Sequence, residues 1–392
     1  MATTHTTRAA DRPSAAGVRQ RLGNVGQRLV KTWRADQMMR RWPQTCELLG
    51  WTQKLDAQHV RVPKLHRVAV EGESVVFVFS PLTKHHPEQW AKLADELARL
   101  HHAAAHDWKA VGRGRLEVTL FRSRLSSDHA VTASMAASRS WSTIPIGNGF
   151  RGPVMWDVNH APHLLVSGDT GSGKSSLLRR VVLGTSDHWH LALLDPKRVE
   201  FAFVPPGGRV VTVASGVLEV CDVLGRIAAE VENRYKAMQA AKVQHWTQAV
   251  DICPLLVIVD ELSVLSLPAF GEDERAAKKR ISDWKASLLH IANLGRACGI
   301  HLVLGVQRPD AEFFSGAVRS QLRGRIGLGR LDAEGSRMMF GADAVALAAQ
   351  PLPRSQGWML QLHPHQQTPE PVSFPLMNPT DIESLTDVEV LA

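Results

Sequence analysis

Apolar residues recur with different periods along this chain, and the changes of period mark its divisions. From Val18 to Trp33 they fall at helical spacing (Val18, Leu22, Val25, Leu29 and Trp33), with arginines and a lysine around the rest of the wheel. From about residue 42 to 141 the pattern is mixed. His66 to Val70, Ser74 to Phe79 and Arg115 to Phe121 read as strands, the first two joined at Glu71-Gly72-Glu73 as a hairpin. Pro87 to His102 reads as a helix with Trp90, Leu93, Leu97 and Leu100 on one face. This predicts a small α+β domain. Beyond it, short apolar runs replace the mixed pattern: Leu164 to Val166, His190 to Leu194, Arg209 to Val213, Leu255 to Val259 and Ile300 to Val306. Helical stretches follow several of them, at Ser176–Val182 and at Val217–Lys242. Strands apolar on both faces and alternating with helices predict an α/β domain with a parallel sheet. Arg325 to Leu328 and Gly357 to Leu362 read as its last strands. The expected divisions are a basic arm over 1–41, the α+β domain over 42–141, the α/β domain over 142–362 and a tail over 363–392.

Composition alters this picture in two places. The net charge is +8, yet nine basic residues against Asp11 and Asp36 lie before residue 42, so almost all of the excess sits in the arm. Such an arm suits DNA, a membrane surface or an acidic partner, and the α/β domain itself is nearly neutral. The four cysteines are scattered without a Cys-x-x-Cys pair, which argues against a disulfide frame or a zinc site and for a reducing compartment. His102 and His106 share a face if the helix is continued through them, but no carboxylate or cysteine joins them and His101, so a metal site is not expected there. No apolar run is long enough to span a membrane, and the amino terminus lacks a secretory core. A cytoplasmic protein, peripheral at the membrane if its arm engages lipid, is the expectation.

The chemistry concentrates at the ends of the apolar runs. Residues 168–175, Gly168-Asp169-Thr170-Gly171-Ser172-Gly173-Lys174-Ser175, fit the G-x-x-x-x-G-K-[ST] loop and lie between a strand and a helix. Glycines let the backbone N–H groups close around phosphate oxygens, and the helix beginning near Ser176 adds its positive end. Lys174 is expected at the β- and γ-phosphates of ATP, and Ser175 at Mg²⁺. The run Leu255–Val259 delivers Asp260 and Glu261, the first expected to support Mg²⁺ and the second to activate water. Gln307 ends the next run, Ile300–Val306, where it could bond the γ-phosphate or the lytic water.

These motifs together resemble the FtsK/SpoIIIE family of DNA translocases. The resemblance covers Ile146 to Leu362 through HLLVSGDTGSGKSS, LLDPKRVEF, VENRYKAM, VIVDEL and RACGIHLVLGVQRPD, in that order. It implies a RecA-like P-loop ATPase domain, a homo-hexameric ring around double-stranded DNA, and an arginine acting on the neighbouring subunit's nucleotide. Arg296 matches that position, with Arg325 and Arg337 as secondary candidates. Ser176 completes the family-like loop. Membrane spans and a winged-helix module, which some family members carry, are missing from this sequence, so it is similar to the soluble translocase-like proteins of actinobacterial plasmids and integrative elements. Conjugative DNA transfer is the implied process, with a membrane surface or a membrane-anchored transfer partner as the expected contact of the arm. The alternatives are a chromosome-segregation DNA pump and an ATP-switched DNA-binding regulator; a small-molecule P-loop kinase would lack Glu261 and Gln307. Leu267–Arg280 and Asp310–Arg319 are the expected DNA-facing segments.

Overall fold

The computed structural model describes residues 32–56, 59–71, 74–112, 114–121, 140–149, 152–249, 251–309, 316–342, 344, 352, 354–364, 366 and 368–385. The expected basic helix of the arm therefore lies almost wholly outside the described residues, as does the stretch 122–139. The chain forms two compact units, 1–124 and 125–392.

In the smaller unit, β1 (Gln53–Lys54) and β2 (Val60–Arg61) make a short antiparallel pair. The main sheet is antiparallel. It consists of β3 (Lys64–Glu71), β4 (Ser74–Ser80), β5 (Ala105–Val111) and β6 (Arg115–Phe121), in the order β3-β4-β6-β5. The hairpin pairs Glu71 with Ser74, as the turn residues predict. Helix α1 (Trp42–Leu48) precedes the sheet, and α2 (Trp90–Leu100) follows a short 3₁₀ turn at Pro87–Gln89. Trp90, Leu93 and Leu97 of α2 meet Phe77, Phe79, Leu116 and Val118 of the sheet, and Trp42 and Trp51 close the same core. Both indole N–H groups are satisfied, Trp42 by the Pro63 carbonyl at 2.7 Å and Trp51 by Glu96 at 2.8 Å. The helix stops at Leu100 and His106 lies in β5, so His102 and His106 do not share a helix face. Among the described residues no group of three or more His, Cys, Asp or Glu side chains could hold a metal by itself.

The larger unit is built on one ten-stranded sheet. Its strands are β7 (Thr143–Gly149), β8 (Gly152–Asp157), β9 (Leu164–Gly168), β10 (His190–Asp195), β11 (Val210–Ser215), β12 (Leu255–Val259), β13 (Ile300–Val306), β14 (Gly324–Leu328), β15 (Gln356–Leu360) and β16 (Glu370–Ser373). The order is β11-β10-β12-β13-β9-β14-β15-β16-β7-β8. The first six are parallel, and the remaining four join antiparallel. On β12 and β13 every residue is buried, and alternate residues serve two different cores. Leu302, Leu304 and Val306 face one core with α4 (Val217–Ala240) and α5 (Glu274–Cys298), whereas Val303 faces the other with α3 (Lys174–Gly184). This two-sided burial is why those strands read as unbroken apolar runs. Two shorter helices, α6 (Gly316–Gln321) and α7 (Ala333–Phe340), flank β14.

The sheet does not end at Leu362. Strand β16 is inserted between β15 and β7, with Met359 opposite Glu370 and Ser373 opposite Asn148. Phe374 and Ile382 are buried in the core under α3. Residues 370–382, expected as part of a tail, thus belong to the α/β fold. Among the described residues no helix is long and apolar enough to cross a membrane.

Candidate active site

The site forms where β9, β10, β12 and β13 end at one edge of the sheet, the usual place for ligands in an open parallel sheet. After β9 the chain turns through Asp169, Thr170 and Gly171, all exposed, and then into buried Ser172, Gly173 and Lys174. Gly171 (φ +83°) and Gly173 (φ +104°) hold backbone conformations that a side chain would strain. A Cβ on Gly168 would approach Ser172 Oγ to 2.5 Å and Leu328 Cβ to 2.8 Å, so the loop folds back tightly on its own strand. Gly173 is the N-cap of α3 and supplies no side-chain cap, which leaves that helix end to other acceptors. The Ser172 hydroxyl is buried and has no hydrogen-bond partner among the described residues. This cradle of glycine backbone, an uncapped helix end and an unpartnered hydroxyl fits phosphate.

Lys174 points from the start of α3 onto the end of β12. Its Nζ donates to the Asp260 carbonyl at 2.5 Å, to Asp260 Oδ1 at 3.3 Å and to Glu261 Oε2 at 3.3 Å. The approach of strand β13 to Asp260 needs Gly305, where a Cβ would meet the Asp260 carbonyl at 2.1 Å. Glu261 has no exposed surface and both of its oxygens are engaged. Oε2 takes Lys174 and, at 3.3 Å, Lys197 from the turn after β10; Oε1 accepts from Ser263 Oγ at 2.6 Å and from the Gln307 N–H at 3.1 Å. Burial alone would raise the Glu261 pKa; Lys174, Ser263, Lys197 and the Gln307 N–H together outweigh it and hold the carboxyl below its usual range. Asp260 goes the other way. Burial raises it, Lys174 opposes, and the nearby Glu200 charge adds to the rise. Adjacent carboxyls on one strand end are thereby pushed apart, one firmly ionised and the other easier to protonate.

Gln307 lies beyond β13 and its side-chain amide donates to Thr170 Oγ1 at 3.3 Å, bridging that strand to the loop. Ser175 Oγ donates to Glu200 Oε1 at 2.5 Å. Ser175 and Asp260 offer oxygen donors only, the set a hard divalent cation accepts. Ser176, expected in the loop, turns its hydroxyl to the Met377 carbonyl at 3.3 Å and so faces the segment after β16. Lys174, Ser175, Asp260, Glu261 and Gln307, the residues expected at the site, lie together at this edge of the sheet. Lys197, Glu200 and Ser263 join them outside any expected role; the signal in the sequence for the first is the Asp195-Pro196-Lys197 turn after an apolar run.

The arginine candidates are elsewhere. Arg296 is exposed in the last turn of α5, before the left-handed Gly299 cap and the amino end of β13. A seven-residue strand spans about 20 Å, so Arg296 and Gln307 lie at opposite edges of the sheet. Arg325 is consumed internally. It donates to the carbonyls of Leu322, Met339 and Arg319 at 2.9, 3.0 and 3.1 Å. Arg337 is exposed and pairs with Glu334 at 2.7 Å. Of the expected DNA-facing segments, residues 310–315 lie outside the described residues. In the other, Arg280 is committed to its own loop, gripping Glu272 at 2.9 Å through two nitrogens and the Leu265 and Leu267 carbonyls at 2.7 Å.

Residues 129–252 match the model of the FtsK/SpoIIIE family. The DNA translocase FtsK of Helicobacter pylori (strain J99) is 30% identical over 205 residues, covering 48% of this chain and 23% of that protein. That of Staphylococcus epidermidis (strain RP62A) is 29% identical over 223 residues, covering 51% and 26%. The chain therefore matches about a quarter of the length of these relatives. Among solved structures, the monomer form of the pCW3 conjugation coupling protein TcpA with ATPγS superposes with a TM-score of 0.58 at 18% identity, over 90% of this chain and all of that one. The cytoplasmic domain of the Thermomonospora curvata Type VII secretion ATPase EccC gives 0.50 at 22% identity, over 64% of this chain and 30% of that one. The fold is that of the RecA-like P-loop ATPases, with a mostly parallel sheet. The larger unit has the fold of a P-loop ATPase, and residues 129–252, part of it, are similar to the FtsK/SpoIIIE family.

Proposed function

We propose that this protein hydrolyses ATP to move double-stranded DNA through a homo-hexameric ring, in the transfer of a plasmid or integrative element between cells. The observation that carries the reading is the convergence of Lys174, Asp260, Glu261 and Gln307 at the carboxyl ends of parallel strands beside a glycine cradle. The loop amides and Lys174 bind the phosphates, so Lys174 exchanges its carboxylate partners for phosphate oxygens. Glu261, held ionised by Lys197 and its hydrogen bonds, takes a proton from the attacking water. Gln307, bonded to both Glu261 and Thr170, registers whether the γ-phosphate is in place. Ser175 and Asp260 would hold Mg²⁺, which would supply charge neutralisation on the phosphate oxygens. The family resemblance supports DNA as the substrate, since a motor of this kind contacts phosphates rather than base edges. The basic arm gives a site for DNA or for a membrane-anchored partner.

The ATPase rate measured with and without linear duplex DNA tests this. A severalfold stimulation, together with triplex displacement along the same duplex, is the expected result. Stimulation without displacement would support the alternative of an ATP-switched DNA-binding regulator. An unstimulated rate would overturn the DNA-motor reading and leave only the hydrolase.

A further inference from the structure

We propose that Glu200 is a positioning residue for the metal half of the nucleotide site, acting through the Ser175 hydroxyl. A serine hydroxyl has one proton and two lone pairs. In this structure the proton is given to Glu200 Oε1 at 2.5 Å, a charge-assisted bond. With the proton fixed on that side, the lone pairs face away from Glu200, and the oxygen carries more negative charge than a freely rotating hydroxyl would. Both effects make it a better ligand for a divalent cation, the role that hydrogen-bonded carboxylates play behind metal-binding side chains elsewhere.

Glu200 is over-determined, which is what such a role requires. Its second oxygen, Oε2, pairs with Arg179 Nη2, one turn further along the helix that begins at Lys174. Arg179 is itself held by the Met377 carbonyl at 2.9 Å. The backbone is fixed as well. Buried Asp195, the last residue of β10, accepts through Oδ2 from the N–H groups of Glu200, Phe201 and Ala202 at 2.7, 2.9 and 3.2 Å. The Phe201 side chain is fully buried. The loop is thus pinned on both sides of Glu200, and its carboxylate, only 16% exposed, cannot swing away without breaking an ion pair. A carboxylate serving merely to neutralise Arg179 would need neither the contact to Ser175 nor three amides on Asp195.

This inference rests on the Mg²⁺-nucleotide reading of the site, and the experiment separates the two. Affinity for a fluorescent non-hydrolysable ATP analogue is measured in EDTA and across a MgCl₂ titration, for the full chain and for Glu200→Gln, Glu200→Asp and Ser175→Ala. Glu200→Gln should raise the half-saturating Mg²⁺ concentration by about tenfold, at the lower end of what loss of an outer-shell partner causes. Its affinity in EDTA should stay within about twofold of the parent. Glu200→Asp keeps a charge for Arg179 but withdraws the carboxylate from Ser175, so it should behave like Glu200→Gln; it carries the test if the glutamine variant does not fold. In a Ser175→Ala background, Glu200→Gln should add nothing, because the two act through one oxygen. A parent-like Mg²⁺ requirement in both Glu200 variants overturns the inference, as does an affinity in EDTA that falls in step with the affinity in Mg²⁺. If the unaltered chain binds the analogue equally with and without Mg²⁺, the metal reading fails first and takes the inference with it.

Discussion

Two lysines and two hydrogen-bond donors hold one fully buried carboxylate, and their arrangement separates binding from chemistry. Lys174 touches Glu261 and both the backbone and side chain of Asp260. On the proposed reading, removing it takes away a phosphate ligand and also leaves buried acids with less compensation, so Lys174→Ala should weaken nucleotide affinity and turnover together. Glu261→Gln keeps the volume and can still accept from Ser263 and Gln307, but cannot take a proton from water. It should bind nucleotide like the parent and turn over about 10²–10⁴-fold more slowly, the usual contribution of a catalytic base. Equilibrium binding of a labelled nucleotide alongside steady-state phosphate release distinguishes the two variants. A Glu261→Gln protein hydrolysing ATP at the parent rate would remove Glu261 from the base position. Lys197 reaches the same Glu261 oxygen, so that carboxylate would keep a cationic partner if Lys174 turned to phosphate, as proposed.

At the level of elements, the part of the fold read most directly from sequence is the part whose burial is two-sided. The runs 255–259 and 300–306 could hardly be anything but central strands, and the loop after β9 is a local strand–turn–helix pattern with fixed spacing. Elements whose pairing depends on distant chain were not legible. Strand β5, Ala-His-Asp-Trp-Lys-Ala-Val, carries polar residues at sheet positions, and β16 is four residues long with Pro371 inside it. Helix α5 opens with a dense run of charges that hides its start. The contact of Lys197 with Glu261 exists because β10 is the neighbour of β12, and that of Glu200 with Ser175 because the loop after β10 reaches the start of α3; no local pattern encodes either approach. Since β16 fills an internal place in the sheet and Met377 anchors Ser176 and Arg179, ending the chain after Leu362 should abolish soluble folding of the larger unit. Soluble expression with a parent-like thermal transition would contradict this. Two buried histidines link the amino ends of the strands to their surroundings. His163 accepts from the Leu302 N–H at 3.0 Å and bonds the Ala292 carbonyl at 3.1 Å, while His301 bonds the Pro162 carbonyl at 3.0 Å. Burial pushes His163 down to about 4, against the Ala292 bond and with help from Arg296; burial, then His163, pushes His301 down to about 3. Both folded values lie below the unfolded one, so the stability they contribute is complete above about pH 6.5 and is lost as pH falls toward 4 and 3. At pH 5 the loss is about 2 kcal/mol for each. Urea midpoints at pH 7 and pH 5 should differ accordingly; equal midpoints would mean that both rings accept a proton in place, and half the difference that one does.

For the whole molecule, the decisive geometry is the separation of Arg296 from the loop. Charge building on γ-phosphate oxygens is best neutralised by an arginine, a contribution of about 10³–10⁵ in rate. Among the described contacts, none of the three candidates bonds to the phosphate loop, Asp260 or Glu261. Arg325 is spent on backbone carbonyls, Arg337 pairs with its helix neighbour Glu334, and Arg296 projects from the opposite edge of the sheet. An exposed arginine at a helix end can also simply complement the helix dipole, worth under about 1 kcal/mol. In a ring of identical subunits, however, the edge that carries Arg296 can face the next subunit's loop, and one surface then completes each site. Mixing distinguishes the two roles. Arg296→Ala subunits, inactive alone, should regain hydrolysis when combined with Lys174→Ala subunits, because some interfaces then pair an intact loop with an intact arginine. A dipole role predicts that Arg296→Ala alone remains active. If the mixture co-assembles yet stays as inactive as its parents, Arg296 does not act across the interface. Arg337, whose guanidinium is exposed, then becomes the residue to test in the same way, ahead of the internally bonded Arg325.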